Sequence, residues 1–254
     1  MMSMNEFANA IITIAGGNVE EINGRIGIVC PDNGNNIRSI VWVDDIYTNN
    51  ESEIPQIAEF VADVWNNAVK TNVSLKLEDV INKITVRLVN PNNGNYDIFM
   101  PASKFSFNDL ILVPYISEII ENGSLQINHN LLNYWNMGKE DVFEIGINNL
   151  TYDICKMSDI LKPYLGDEDF FPPMYIITNE KKYHGASSVI PALTRLHEMF
   201  PNGFVIFPSS IHECIAVECG IYEVEELQEI VEWVNKTAVD PKDFLSNNVY
   251  IFKV

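Results

Sequence analysis

The chain has 254 residues, 47% of them hydrophobic and 20% charged, enough to bury one large core or two small ones and unlike the composition of a disordered chain. Its net charge of −19 opposes binding to a nucleic-acid backbone, which depends on Lys and Arg displacing counterions from phosphate. No apolar run approaches the roughly 20 residues needed to span a bilayer, and the apolar stretch Ala8–Ala15 follows Glu6 without the basic region of a secretory signal, so a cytoplasmic protein is expected.

A short helix from Asn5 to about Ala15 leads into two strands, Arg25–Cys30 and Ile37–Asp44, joined by an Asp-, Asn- and Gly-rich turn over Asp32–Asn36. That is the pattern of a β-hairpin. From Glu53 to Val69, Ile54, Ile57, Ala58, Val61, Val64 and Ala68 recur at helical spacing, with Pro55 in the first turn, where its missing N–H costs nothing. A short helix at Leu77–Ile81 precedes a strand at Ile84–Val89. The turn Pro91–Asn95 is expected to send that strand back through Tyr96–Met100 as a second hairpin. Leu110–Ile120 is strongly apolar but interrupted by Pro114, which marks it as an edge strand, with Leu125–Asn128 as its partner.

Leu131–Trp135 and Lys139–Ile154 read as consecutive helices, the second carrying Phe143, Ile147, Leu150 and Ile154 on one stripe. The acidic loop Gly166–Phe171, with Pro172 and Pro173, is the best linker. After it come strand Met174–Thr178, helix Ser188–Phe200, strands Phe204–Phe207 and Glu213–Glu218, helix Val224–Lys236 and strand Val249–Lys253. This order is βαββαβ, the split βαβ or ferredoxin-like arrangement. The expected class is α+β: an N-terminal lobe with two hairpins (1–127), a helical connector (128–173) and the βαββαβ unit (174–254), all within one compact domain. Because Phe204–Phe207 is apolar on both faces, the N-terminal half is expected to cover the side of the sheet that the helices leave open.

The topology sends three connections to one end of the sheet: Thr178–Gly185, Pro208–Glu213 and Asp240–Ser246. Together they assemble the candidate ligand- or partner-binding residues Asn179, Lys182, His184, Ser209, Ser210, His212, Glu213 and Asp243. A serine, a histidine and a carboxylate are the parts of a nucleophilic hydrolase. The chain has no G-x-S-x-G elbow, however, and on a regular strand Ser210 and His212 lie about 7 Å apart, too far for a hydrogen bond. The plainer reading is a Pro-Ser-Ser turn whose His212 and Glu213 tie down neighbouring loops. His184, beside Lys181 and Lys182 and just before a helix, is a candidate to meet an anion, but a solvated loop is the plainer reading and no Gly-rich phosphate cradle surrounds it. His197 borders an apolar helical stripe and reads as structural, His129 has no companion, and Glu225, Glu226, Glu229 and Glu232 form a solvated helix face.

Cys30, Cys155, Cys214 and Cys219 are expected to be reduced, since a chain of this size needs no disulfide staples. His212, Cys214 and Cys219 lack the second close pair of a zinc site, so neither metal nor cofactor is expected. The acidity is evenly spread, with 16 acidic and 7 basic residues in 1–127 and 19 and 9 in 128–254. That describes a solvated surface; a face that imitates nucleic acid towards a basic protein is the alternative.

The strings LLNYWNMGKEDVFEIGINN (Leu131–Asn149), MYIITNEKKYHGAS, FVIFPSSIHECI and VNKTAVDPKDFLSNNVYIF resemble the uncharacterised bacterial family catalogued as domain of unknown function 5688. The likeness runs over nearly the whole chain, and PSSIHE and TN…GA are its specific parts. A weaker likeness extends to domain of unknown function 1444, in the order of the C-terminal elements. The resemblance implies an intracellular protein of Gram-positive bacteria or their mobile elements and brings no activity, cofactor or catalytic residue. Because polar residues converge without catalytic spacing, the expectation is non-enzymatic recognition of a protein partner or small ligand through the loops around PSSIHE. The rivals are a hydrolase using Ser209 or Ser210 with His212 and a carboxylate, and an acidic charge mimic that binds a basic protein surface.

Overall fold

The computed structural model describes residues 2–22, 24–31, 39–68, 73–94, 96–120, 123–165, 173–208 and 210–253. Their contacts form two compact units, Met1–Leu75 and Lys76–Val254. The turn expected at Asp32–Asn36 and the linker Gly166–Phe171 with Pro172 lie outside the described residues.

In the first unit, helix α1 (Met4–Ala15) starts at a reciprocal cap. Ser3 Oγ accepts the Glu6 N–H, and the Glu6 carboxylate accepts the Ser3 N–H at 2.7 Å. Strands β1 (Asn18–Ile22), β2 (Arg25–Val29) and β3 (Ile40–Trp42) form an antiparallel sheet in that order. The β2/β3 hairpin is the expected one, whereas the polar sequence NVEEI concealed β1. The second strand stops at Trp42, short of the expected Asp44, because the buried Val43 opens a short helix, α2 (Val43–Ile46). Helix α3 (Ile54–Ala68) closes the unit, its Val61 and Trp65 sharing a core with Phe7, Ile11 and Ile28.

The second unit opens with α4 (Leu77–Val80) and β4 (Ile84–Val89). The return of β4 through Tyr96–Met100 does not form. Pro91–Asn93 is a 3-10 turn, and β4 pairs along its whole length with β6 (Ile111–Ile120). On its other side β6 pairs with β5 (Met100–Pro101) and then with β7 (Gly123–Gln126), so it is not the edge strand that Pro114 suggested. The Pro114 carbonyl accepts the Ile127 N–H at 2.9 Å on the β7 side. The missing N–H faces the same way, toward Ile127, just beyond the last β7 residue, so its loss falls at the end of the β6/β7 ladder and not within it.

Helices α5 (His129–Trp135) and α6 (Lys139–Asn148) follow. The stripe expected to continue to Ile154 is cut at Asn149, whose amide donates to Ile81 O and Ile84 O at 2.8 and 2.9 Å. Ile154 belongs instead to β8 (Asp153–Lys156), and α7 (Met157–Leu165) comes next. Helix α6 crosses β4 so closely that a Cβ on Gly146 would stand 2.8 Å from Val86 Cγ1.

From Met174 the order is the expected βαββαβ: β9 (Met174–Thr178), α8 (Val189–Met199), β10 (Phe204–Phe207), β11 (Cys214–Glu218), α9 (Val224–Thr237) and β12 (Tyr250–Phe252). The sheet runs β12-β10-β11-β9-β8 with every neighbour antiparallel. Strands β9 and β10 are therefore parallel with β11 between them, which is a split βαβ. The α+β class holds. A ferredoxin-like sheet puts its first and third strands at the centre, however, whereas here the β10/β11 hairpin is central.

The helices also lie on opposite faces. Leu227 and Val231 of α9 pack with Val205, Phe207 and Val217. Across the sheet, His197 and Phe200 of the α8 segment place their rings 4.9 and 6.0 Å from Phe204. All four residues of β10 are buried because each face has its own helix. From the N-terminal half, Phe107 covers the β12 edge, its ring centroid 4.9 Å from that of Tyr250.

Candidate functional site

Strand pairing decides where three loops go. Cys214 stands opposite Ile177, and Tyr250 opposite Ile206. The ends of β9 and β10 and the starts of β11 and β12 therefore share one end of the sheet, and there the loops meet. The Gly185 and Ala186 N–H groups donate to His212 O and Ile211 O at 3.0 and 3.1 Å, and Thr178 Oγ1 donates to His212 O at 2.8 Å. Ile211 N–H donates to Asp243 O at 2.9 Å, and Ser210 forms a β-bridge with Phe244.

Gly185 makes this closeness possible. A Cβ there would lie 2.7 Å from both Asn179 N and His212 O, and against Thr178 Oγ1. Asn179 shapes the same loop: its amide donates to Tyr183 O at 2.9 Å and its Oδ1 accepts the Tyr183 N–H at 3.3 Å. Lys182 and His184 adopt the left-handed backbone at φ 53° and 51°, a conformation that costs L-residues energy. The Lys182 side chain itself is exposed.

At the centre, His212 Nδ1 accepts the His184 N–H at 3.3 Å, and Nε2 lies 3.4 Å from Asp243 Oδ2. The proton of the neutral ring therefore sits on Nε2, facing the carboxylate. Ser210 Oγ accepts the His212 N–H at 3.0 Å and donates to Glu213 Oε1 at 3.2 Å. A serine relay needs the hydroxyl on an imidazole lone pair. Here the main chain occupies that lone pair and Glu213 takes the hydroxyl proton. Ser209 lies outside the described residues. Burial, then the neighbouring Arg87 and His212, pull the pKa of His184 down to about 4 against the opposing pull of Asp243, which leaves it neutral at pH 7.

Beside the cluster is a cavity of about 830 Å³, walled by Asn179, Tyr183 and His184 from the loop and by Thr85, Arg87 and Ser117 from β4 and β6. Lys182, Ser210, His212, Glu213 and Asp243 stand outside its wall. His184 and Arg87 also border a second cavity of about 130 Å³. The convergence of the loops was legible in the sequence; the cavity was not. Its one local signal is Arg87, a charge at the centre of the otherwise apolar strand ITVRLV.

The loop entering β12 has its own anchors. Ser246 Oγ donates to Asp109 Oδ2 at 2.7 Å, Tyr250 Oη donates to Asp109 Oδ1, and the Asn90 and Asn93 amides donate to Leu245 O and Phe244 O at 2.8 and 2.7 Å. Among the described residues no cluster of three His, Cys, Asp or Glu side chains could hold a metal ion. No described helix is long and apolar enough to cross a membrane.

Fold and site define an α+β protein with a cavity beside the loops at one end of its five-stranded sheet. Over residues 3–254 the chain matches the model described as Family of unknown function (DUF5688), and it belongs to that family. No curated protein and no solved structure matches it.

Proposed function

We propose that this protein recognises a small molecule held in the cavity beside the Asn179–Gly185 loop, without transforming it, in a reducing cytoplasm. The observation that carries this reading is the cavity itself. Its volume of about 830 Å³ falls in the range of small-molecule sites, roughly 300–1,000 Å³, and five residues of the Thr178–Gly185 loop wall it. Recognition is favoured over hydrolysis because both His212 ring nitrogens are engaged and Ser210 is held by Glu213. The four cysteines are free thiols, which suits the cytoplasm.

Native mass spectrometry of the full chain after incubation with a library of small metabolites tests the proposal. At least one stoichiometric complex is expected, and it should vanish in Ser124→Trp, which places a large ring on an exposed β7 residue of the cavity wall. Absence of any complex, or complexes indifferent to that substitution, would overturn the reading.

A further inference from the structure

We infer that the cavity takes its ligand by an oxyanion group, a carboxylate or a phosphate monoester, seated on Arg87; this rests on reading the cavity as a ligand site. The chain holds 35 acidic residues against 16 basic ones, yet the cavity wall reverses the balance, with Lys83, Arg87 and Lys181 against Glu118 and Glu180. The two lysines are already engaged. Lys181 pairs with the Glu118 carboxylate, and Lys83 Nζ donates to Glu118 O at 3.2 Å.

Arg87 is different. Among the described residues it has no ion-pair partner; its guanidinium carbon stands 4.2 Å from the centroid of the Tyr115 ring. Burial works against its charge strongly enough to lower its pKa, with Tyr115 and Tyr183 only partly offsetting. A guanidinium nevertheless stays protonated in proteins. A ring face compensates a desolvated cation by about 2 kcal/mol, less than the several kcal/mol its desolvation costs. An oxyanion would supply the missing partner, because the planar fork accepts a carboxylate or phosphate through two parallel hydrogen bonds. Thr85, Ser117, Ser187 and Ser188 also line the space. The volume far exceeds that of a bare inorganic anion, so the ligand has a body beyond its charged group.

The test compares the full-length wild type with Arg87→Met by thermal unfolding. The melting temperature is followed against sodium phosphate and sodium acetate at ionic strength matched with sodium chloride. The wild type is expected to gain stability from phosphate, from acetate or from both beyond the chloride control, with the gain lost in the variant. The anion that produces it separates the phosphate from the carboxylate source. Ligand-free Arg87→Met is expected to melt no lower than the wild type, since it removes an uncompensated charge; a merely structural Arg87 predicts a drop. Any metabolite captured in the mass-spectrometric screen should carry an oxyanion and bind the variant roughly ten- to a hundredfold more weakly. Equal anion responses in the two proteins, or a lower melting temperature for the variant, would overturn the inference. Neutral ligands that Ser124→Trp excludes would remove the oxyanion and keep the cavity as a ligand site.

Discussion

His184 joins the loop cluster to the cavity, and its chemistry sets a pH dependence. Arg87, His212, Asp243 and the Tyr183 ring surround it, the last with its centroid 4.2 Å away. The unfolded chain takes up a proton here near pH 6.5, the folded chain only near 4. Between those values the unfolded state binds more protons, so stability falls as pH drops through that window and the loss is complete below it. His184→Gln, which keeps the main-chain N–H that His212 accepts, should flatten the melting-temperature profile between about pH 6.5 and 4.5. An unchanged slope would assign the dependence to other groups. At this scale the sequence was informative about residues close together in the chain, such as the turn that holds His184 and the Ser-Ile-His-Glu string. It was silent on Arg87, whose place in the cavity wall depends on neighbours nearly a hundred positions away, Tyr183 and His184.

The loop that enters β12 depends on residues from an earlier part of the same unit. Burial pushes the Asp109 carboxyl up, but hydrogen bonds from Tyr250, Ser246 and Asn248 more than reverse this and hold it below the usual carboxylate range. Asp109→Ala leaves the Ser246 hydroxyl without its acceptor and Tyr250 Oη with only Ser246 Oγ, at 3.1 Å, and should cost roughly 1–3 kcal/mol in urea unfolding. A loss under about 0.5 kcal/mol would mean that Asn90 and Asn93 hold the loop by themselves. Elements bounded by glycine, proline or turn residues were legible: β9, β10 and α8 fall within a residue or two of their expected limits. Those whose ends are set by tertiary contacts were not. Helix α6 stops because Asn149 caps main-chain carbonyls of the segment leading into β4, which helical spacing cannot reveal. Strand β4 finds β6 rather than its neighbour in sequence because two long apolar strands bury more together than either would with Tyr96–Met100. Amphipathic stripes showed that α8 and α9 pack on a sheet. They did not show which face, and that choice separates this sheet from a ferredoxin-like one.

Over the whole molecule, the net charge of −19 acts as self-repulsion that salt relieves. Raising sodium chloride from about 10 to about 150 mM shortens the screening length from roughly 30 to 8 Å, so the melting temperature at pH 7 should rise. A flat response would show that the acids are compensated locally. The central position of the β10/β11 hairpin has a mechanical consequence as well. Its tip is the one loop at this end of the sheet whose two legs are both interior strands, so shifting it would tear open the middle of the sheet. Loops 178–185 and 240–246 each lead to a strand further out. The tip is thus the part of the cluster that the sheet holds most firmly, and the loops 178–185 and 240–246 are hung on it through the His212 and Ile211 main chain.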